Sequence, residues 1–396
     1  MYYVGIDISK NTFDYFIRTD DVDRIDSGKL KQNKEGYSFL LSSLKDIDPK
    51  DILIGFESTS TYHINLFNFL VSNGLFPSII NSYAVHNFAK HFNLRGAKTD
   101  KIDAKIIARF LLTFSPTPSK GNLDEIKLIS REMVKVTKYI TKLKNETKRL
   151  INLVFPELDS TNSDVRFDSR YKGWWIILKH YPSAKKISKA SVEDLYNILP
   201  NRSKRSFKVE KLEKLILMAK DSVGSNKPSL EKLLVMYVNR LITSMDEKEE
   251  LEQVVLDLMD EDNLTNIELL KTIPGIDSLS ISIVSEIIDI SRFHSAKSLV
   301  AFAGIDPVPK QSGDKDGYRR ISKRGSKYLR RAIGMAANSA RMNNDYFKYF
   351  YNKLVNSGKP HWVALMALAN KLLRIIYSLL KNKTEYDPLY HYKLMS

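Results

Sequence analysis

The chain has 396 residues, which is too long for one compact core, so we expect two or three domains. Its 62 Lys and Arg outnumber its 46 Asp and Glu, and the formal net charge of +16 favours a polyanionic partner such as nucleic acid. A basic-biased proteome or an anionic membrane surface would explain the same surplus. The absence of cysteine excludes disulfides, thiolate metal sites and cysteine nucleophiles, so any metal ligands must be carboxylates or histidines.

We expect neither a secretory signal nor a membrane-spanning helix. The first seven residues lack the basic and then apolar layout of a signal peptide. The most apolar late segment, residues 361–380, is interrupted by Asn370, Lys371 and Arg374. Its apolar residues keep helical spacing, which predicts an amphipathic helix packed in a core. These residues are Trp362, Leu365, Met366, Ala369, Leu372, Leu373 and Ile376. The predicted location is therefore the cytoplasm, without a membrane partner.

Residues 1–118 predict an α/β domain. Short runs of apolar and β-branched residues indicate strands at residues 2–8, 12–18, 24–31, 51–56 and 75–80. Helical spacing of apolar residues indicates helices at residues 37–44, 62–71 and 99–112. Strands that lead the chain and then alternate with helices are typical of a mixed central sheet covered by helices. Pro116 and Pro118 mark the linker that ends this domain.

Residues 119–264 predict a helical, coiled-coil-like domain that mediates dimerisation. Apolar residues occupy heptad positions a and d, and only Thr147 breaks the series. The series is Ile126, Ile129, Met133, Val136, Ile140, Leu143, Leu150 and Val154. A weaker series, interrupted by Ser244 and Lys248, comprises Leu234, Tyr237, Leu241, Leu251, Val255 and Leu258. The two helices either pair as an antiparallel arm or form a dimer seam. Between them we expect a polar loop at residues 159–170 and basic helices at 191–220.

Residues 265–396 predict an all-α domain that begins with a helix-hairpin-helix. In residues 269–280 a Pro-Gly turn separates two helical segments, and backbone amides near Gly275 are suited to bind a DNA phosphate. An ordinary corner between two helices is the alternative. Further on, residues 310–331 carry nine Lys or Arg against two Asp. Gly325 and Ser326 then predict a loop and an N-cap, with a helix through Ala340.

Four carboxylates are candidates for a metal site. Asp7 and Glu57 end predicted strands, where ligands of open α/β sheets usually lie. Asp100 and Asp103 are three residues apart, so a helix places both on one face. Hard oxygen donors suit Mg²⁺ or Mn²⁺, and two such ions can flank a scissile phosphate. Taken singly, each acid is also explained as a turn residue or as a helix N-terminal residue.

A glycine followed by aspartate after a first strand also opens the sugar-kinase and actin-like ATPases. Those proteins need further glycine-rich loops that hold phosphates, and residues 40–120 contain none. The ATPase interpretation is therefore disfavoured.

Ser312 is the candidate nucleophile, because it precedes Gly313 in a polar loop just ahead of the basic run. A serine hydroxyl needs a base, a metal or a neighbouring cation to become nucleophilic, and most loop serines are turn residues. The basic run itself favours DNA backbone phosphates, with a merely solvated basic face as the alternative. Its candidate contacts are Arg319, Arg320, Lys323, Arg324, Lys327, Arg330 and Arg331.

In their joint order these motifs resemble the DEDD-type insertion-sequence transposases of the IS one-ten family, over nearly the whole chain. Gly-Ile-Asp-Ile-Ser-Lys at residues 5–10 matches the first acidic motif, and Phe-Glu-Ser-Thr-Ser-Thr-Tyr at 56–62 matches the second. Residues 97–109 match the third and fourth. Toward the C-terminus the matches are Ile-Pro-Gly-Ile at 273–276, Phe-Ala-Gly-Ile-Asp-Pro at 302–307, Ser-Gly at 312–313, Ile-Ser-Lys-Arg-Gly at 321–325 and Leu-Arg-Arg at 329–331.

The resemblance implies an RNase H-like (RuvC-like) nuclease domain at residues 1–118 and a transposase domain with a catalytic serine at residues 265–396. It implies that the four carboxylates hold Mg²⁺ or Mn²⁺, as two ions, and that Ser312 attacks a DNA phosphate. The resulting serine-linked intermediate would preserve phosphodiester energy, so that rejoining needs no ATP.

By the same resemblance, the protein acts on donor and target DNA that a structured guide RNA selects. It would work as a homodimer or homotetramer in which the nuclease and serine domains come from different protomers. Lys98, in the third motif, and Gly275 would join the nucleic-acid contacts.

Two other functions stay open on the sequence. One is a RuvC-like Holliday-junction resolvase or structure-specific DNA nuclease, which would use the four carboxylates with water as the nucleophile. The other is a non-catalytic scaffold that binds nucleic acid and shows no divalent-dependent activity.

Overall fold

A computed structural model describes residues 1–57, 62–92, 100–116, 118, 123–159, 165, 167–308, 311–312, 315–316 and 320–388. Among these, the side chains of residues 91–92, 100–102, 123–124, 311–312 and 315–316 lie outside the description. The chain divides into two compact units: unit 1 comprises Met1–Lys127 with Glu286–Ser396, and unit 2 comprises Leu128–Ser285. The division into three domains after residues 118 and 264 stays a prediction.

A five-stranded mixed sheet forms the centre of the N-terminal region. Its strands are β1 (Tyr2–Ile8), β2 (Thr12–Thr19), β3 (Asp26–Lys31), β4 (Ile52–Glu57) and β5 (Ser78–Ile80). They lie in the order β3-β2-β1-β4-β5. The first three strands pair antiparallel, whereas β4 pairs parallel with β1 and β5 pairs parallel with β4. The predicted mixed sheet is therefore confirmed.

Helices cover both faces of this sheet, because alternate strand residues point to opposite sides. On one face, Val4 and Ile6 pack against α1 (Lys34–Ser42) and α2 (His63–Ser72) in one buried cluster. On the other, Tyr3 packs with residues of α3 (Ser82–Phe92) and α4 (Asp100–Phe114). Helix α3 was not predicted from the sequence.

Helix α4 lies unusually close to β1 because Gly5 has no side chain. A Cβ at Gly5 would lie 2.2 Å from the Ala104 carbonyl oxygen and 2.3 Å from the Ala108 amide nitrogen. Both alanines are buried against Phe16 of β2. Small residues on the facing surfaces thus bring the helix backbone into direct contact with the strand.

Unit 2 is helical and has a core of its own. Its helices are α5 (Leu123–Val154), α6 (Lys172–His180), α7 (Ala184–Ile187), α8 (Val192–Asn197), α9 (Asn201–Lys204), α10 (Val209–Lys220), α11 (Pro228–Asp257) and α12 (Glu261–Lys271), of which α5 begins in unit 1. Trp174 and Trp175 of α6 are fully buried in a core to which both long helices, α5 and α11, contribute. Coiled-coil pairing and a dimer seam stay predictions.

The heptad series of α5 needs one refinement. Thr147, the apparent break, is fully buried, and its hydroxyl donates a 2.7 Å hydrogen bond to the Leu143 carbonyl oxygen. The bond satisfies the polar group within the helix, so threonine can occupy a core position. Ile151, not Leu150, continues the buried stripe.

The C-terminal region is helical with one exception. Its helices are α13 (Ser280–Ile287), α14 (Ala296–Ala303), α15 (Lys327–Asn343), α16 (Asp345–Asn356) and α17 (His361–Asn382). Four two-residue strands precede α15: β6 (Pro307–Val308), β7 (Gln311–Ser312), β8 (Lys315–Asp316) and β9 (Arg320–Ile321). They pair antiparallel, β6 with β9 and β7 with β8. The all-α prediction is therefore wrong at these four strands, in a part of the sequence where prolines and glycines disfavour a helix.

Helix α17 is long and apolar enough, by length and composition, to cross a membrane. Half of its most apolar stretch is buried within the protein, and the helix packs against α14, α15 and α16. This is the environment of a core helix, as the sequence predicts. Trp362 is a correction, because its side chain is 70% exposed instead of packed.

Candidate active site

The sheet brings Asp7 and Glu57 to the same edge and the same face. The parallel register of β1 and β4 pairs Gly5 with Gly55 and Ile6 with Phe56, so Asp7 and Glu57 occupy the next positions. Neighbouring strands lie about 4.8 Å apart. Because side chains alternate, both acids share the face of Gly5, against which α4 packs. Both are half-buried.

The first turn of α4 lies toward the same edge. Ile107 and Leu111 share a buried cluster with Tyr3, whereas Ala104 lies against Gly5, two residues further along β1. The helix therefore runs antiparallel to β1, with its first turn directed toward the end of the strand that carries Asp7.

Asp103 and Asp100 occupy this first turn. Asp103 directly precedes Ala104 and is half-buried. Asp100 is the first residue of α4, and its side chain lies outside the described residues. The predicted helical pair is thus placed, by its backbone, at the edge that carries Asp7 and Glu57.

A fifth acid, Asp14, lies beside Asp7 and was not predicted from the sequence. Asp14 of β2 pairs directly with Asp7 across the antiparallel ladder, so both side chains share the α4 face. It is 3% exposed; its Oδ2 lies 3.2 Å from the Lys29 Nζ, and its Oδ1 has no hydrogen-bond partner. The only sequence signal was an acid among strand residues, between Phe13 and Tyr15.

The described side chains do not form a complete metal-binding site. Among them, no group of three or more His, Asp or Glu is arranged to hold a metal ion. The Asp100 side chain is outside that set. The chemistry of the donors suits a hard divalent cation, since all four predicted ligands are carboxylates.

An ion-pair cluster holds the outer side of α4. Asp23 accepts a 2.6 Å hydrogen bond from the Lys105 Nζ, and its Oδ1 lies 3.3 Å from Arg109 and 3.1 Å from Arg18. The hydrogen bond from Lys105 and the charges of Lys105 and Arg109 lower the pKa of Asp23. The cluster ties α4 to the loop after β2 and so helps to position the first turn of α4.

Ser312 lies in the paired strands and not in an irregular loop, which corrects the prediction. It ends β7 and pairs with Lys315 of β8, directly before the two residues that join these strands. Its side chain lies outside the described residues, so the structure does not locate the hydroxyl.

The basic run forms an exposed surface before α15, which we call the basic loop (residues 320–327). Arg320, Lys323, Arg324 and Lys327 are exposed. The loop is fixed by backbone hydrogen bonds, of which one, 3.0 Å long, runs from the Lys323 amide to the Gly304 carbonyl oxygen. Lys323 has a φ of 54°, a conformation that side chains rarely adopt. The Arg324 guanidinium lies 5.2 Å from the ring centroid of Tyr83 in α3.

The other residues predicted to contact nucleic acid are not all exposed and described. Arg330 turns inward, and its Nη1 donates a 2.9 Å hydrogen bond to the Ala303 carbonyl oxygen at the end of α14. Burial lowers the pKa of Arg330. Arg331 is half-exposed. Arg319 and Lys98 lie outside the described residues.

Glu286 is a second acid that was not predicted from the sequence. It is 2% exposed in α13 and accepts a 2.7 Å hydrogen bond from the Ser326 hydroxyl, which in turn caps the Leu329 amide of α15. The predicted N-cap is confirmed, and the buried carboxylate extends it. This contact anchors the C-terminal end of the basic loop.

Gly275 lies in the turn between α12 and a short 3₁₀ segment that leads into α13. Its φ of 88° is strained for any other residue, so glycine is required there. The order of helix, turn and helix is that of the predicted hairpin, while its binding to DNA stays a prediction.

Comparison with known proteins identifies the family. Residues 4–156 match the DEDD model of IS110 elements, described as "Transposase". Residues 267–352 match a model described as "Transposase IS116/IS110/IS902 family". The two matched segments contain the four carboxylates and Ser312.

Similar proteins support the same assignment. The pilin gene-inverting protein of Moraxella lacunata is 24% identical, over 98% of both chains. The 44.8 kDa protein of insertion element IS116 from Streptomyces clavuligerus is 23% identical, over 82% of this chain and 81% of its own. The transposase for insertion sequence element IS1111A of Coxiella burnetii is 30% identical, over 43% of this chain and 47% of its own. The chain therefore belongs to the IS110 family of transposases and is an enzyme that acts on DNA.

Proposed function

We propose that this transposase cuts and rejoins DNA in two steps, with divalent cations at the carboxylates and Ser312 as the nucleophile. The observation that carries the proposal is the shared edge of the sheet, where Asp7, Glu57 and the first turn of α4 meet on one face. Converging carboxylates on an RNase H-like sheet are suited to bind metal ions at a phosphodiester.

Asp7, Glu57, Asp100 and Asp103 would hold Mg²⁺ or Mn²⁺, as two ions. When bound, the ions would neutralise charge that develops on the phosphate oxygens. The protein's part is to hold the carboxylates on rigid elements, β1, β4 and α4. Since the described side chains form no complete metal-binding site, we expect them to gather around the cations as these bind.

In the covalent step, the Ser312 Oγ forms a bond to a DNA phosphorus, and the bond from that phosphorus to one DNA oxygen breaks. The departing oxygen becomes a hydroxyl and takes up the proton that serine loses. A DNA hydroxyl then attacks the serine-linked phosphate, which restores a phosphodiester and returns the proton to Ser312. One phosphodiester replaces another, so the cycle consumes no ATP.

The name of a relative supports DNA joining over simple cutting. One relative is named a pilin gene-inverting protein, and inversion requires that cut ends be rejoined. The exposed basic loop provides cations for backbone phosphates of DNA or of a structured guide RNA.

We propose a cytoplasmic homodimer or homotetramer, with α5 and α11 as the dimerisation helices. The turn at Gly275 would be a helix-hairpin-helix phosphate contact.

Ser312→Ala tests the nucleophile. We expect the variant to lose strand transfer completely, together with the covalent adduct that wild-type protein forms with DNA. The adduct is measured by denaturing electrophoresis of protein incubated with end-labelled DNA and Mg²⁺. Peptide mapping of the adduct should locate the DNA at Ser312.

Ser357→Ala is the matched control, because Ser357 is an exposed serine at the end of α16 in the same unit. This control should join DNA like wild type. If Ser312→Ala still cuts DNA at the wild-type rate, water is the nucleophile, and the resolvase or nuclease hypothesis replaces ours.

Asp14→Asn tests whether Asp14 supports the metal-binding carboxylates. The unpartnered Oδ1 of Asp14 adds negative charge beside Asp7. In other metal sites, loss of a residue that supports the ligands without binding the metal weakens metal affinity about 10-fold or more, and we expect the same loss of Mn²⁺ affinity here. Isothermal titration calorimetry with Mn²⁺ measures the affinity directly.

Asp26→Asn is the control for this substitution. Asp26 lies in β3 opposite Ile17, on the face away from α4, where it accepts a 2.8 Å hydrogen bond from Tyr15. Its variant should bind Mn²⁺ like wild type. Equal Mn²⁺ affinity for Asp14→Asn and wild type would show that Asp14 has no role at the metal site.

A further inference from the structure

A groove of about 1870 Å³ lies in the C-terminal part of unit 1, and neither the four carboxylates nor Ser312 line it. We call it the C-terminal groove. It is lined by residues of α17, which include Met366 and Arg374, and by Arg320 of β9 and Phe350 of α16. Most of its lining follows residue 352, where the family match ends.

The groove is lined by more positive than negative side chains. Its five cations are Arg320, Lys323, Lys359, Lys371 and Arg374, and its two acids are Glu385 and Asp387. Two of the cations, Arg320 and Lys323, belong to the basic loop, so the groove continues that surface. A concave wall with this charge concentrates polyanions.

Exposed apolar groups lie among these cations. Trp362 is 70% exposed and Val363 is 51% exposed, at the start of α17. Lys371 lies over two rings of the neighbouring helix, 4.8 Å from the Tyr346 centroid and 4.6 Å from the Phe350 centroid. An exposed tryptophan beside cations matches the surfaces on which nucleic-acid bases stack.

We propose that the C-terminal groove binds an unpaired segment of nucleic acid, with a base stacked on Trp362 and phosphates near Lys359 and Arg374. The proposal goes beyond the carboxylates and Ser312, although it rests on the family's action on DNA. A duplex is the poorer occupant, because its base faces are already stacked on one another. A second copy of this chain would have to present an acidic surface to the five cations of the groove, and it is the alternative that the test below separates.

Tryptophan fluorescence gives a local test with the full-length protein. The chain has three tryptophans, and Trp174 and Trp175 are 1% and 0% exposed, so quenching by a bound base reports on Trp362. We expect an eight-nucleotide thymidine or uridine oligomer to quench the emission, whereas a duplex of equal length does not. The DNA and RNA oligomers together show which sugar the groove prefers.

Variants test the two contacts separately by fluorescence anisotropy of labelled oligomers. Trp362→Ala should weaken binding about 10-fold, within the range expected for loss of one stacked base. Arg374→Gln should reduce the slope of log affinity against log salt by about 0.7, because one phosphate contact is lost. Tyr171→Ala and Lys189→Gln, exposed positions of unit 2 outside α5 and α11, are the matched controls and should bind like wild type.

Melting temperatures and far-UV circular dichroism show whether the exposed substitutions leave the fold intact. Unchanged affinity of Trp362→Ala for both oligomers overturns the proposal. A change of oligomeric state in Trp362→Ala without a change in oligomer affinity also overturns it, and identifies the groove as a protein interface.

Discussion

Replacing Asp7 by asparagine is expected to slow divalent-dependent DNA cleavage by about 1000-fold or more, with little change of shape at the site. The asparagine keeps the size of the side chain but removes the negative charge that a cation needs, and charge stabilisation at a phosphate is worth several kcal/mol. Single-turnover cleavage of a DNA fragment that carries an end of the element, in Mg²⁺ and in Mn²⁺, measures the loss.

Asp51→Asn is the matched control for this substitution. Asp51 is exposed and directly precedes β4, at the end of the strand opposite Glu57. Its variant should cleave DNA like wild type. A ligand that binds the folded state stabilises it, so Mn²⁺ should raise the melting temperature of wild type and of Asp51→Asn. Mn²⁺ should not raise the melting temperature of Asp7→Asn. Normal cleavage by Asp7→Asn would remove Asp7 from the metal site and with it the basis of our mechanism.

The N-terminal part of the candidate active site was predictable because its signals are local. Alternating apolar residues around Gly5 and Gly55 define two buried strands, and the apolar face of residues 99–112 defines α4. Once these elements are placed in a mixed sheet, strand ends and helix N-terminus have few ways to meet. The locations of Asp7, Glu57 and Asp103 at one edge follow from these rules.

Asp14 was not predictable because its role depends on pairing between strands. Along the sequence it is one acid in a run of apolar residues. Only the register of β2 with β1 and β3 places it between Asp7 and Lys29, with one oxygen left without a partner. A cross-strand neighbour requires the register, which is a tertiary property.

The C-terminal region was predicted less well than the N-terminal region. Two-residue strands such as β7 are too short to show any alternation, so Ser312 was assigned to a loop. Trp362 fits the apolar spacing of α17, but it lies at the first turn, beyond the helices that cover the rest. In both cases contacts with the rest of the fold, and not the local sequence pattern, decide where the residue lies.

The backbone contact between α4 and β1 makes Gly5→Ala the most informative substitution outside the carboxylates. An alanine Cβ would lie 2.2 Å from the Ala104 carbonyl oxygen, and this atom is backbone, so no side-chain rotation relieves the overlap. The helix must move away from the sheet. We expect the free energy of unfolding to fall by about 3 kcal/mol or more, which is at the upper end for overpacked cores. The fall would be seen as a large drop in melting temperature.

The same displacement would act on catalysis, because α4 carries Asp100 and Asp103 toward the edge that holds Asp7. Misplacement of a catalytic group by about 1 Å can slow a reaction about 100-fold. Gly5→Ala protein that is still folded should therefore cleave DNA about 100-fold more slowly. Gly334→Ala, inside α15, is the control: its Cβ would meet only the Met366 Cε, at 3.2 Å, and alanine favours a helix. A Gly5→Ala protein with a lowered melting temperature but a normal cleavage rate would show that the acids of α4 do not act with Asp7.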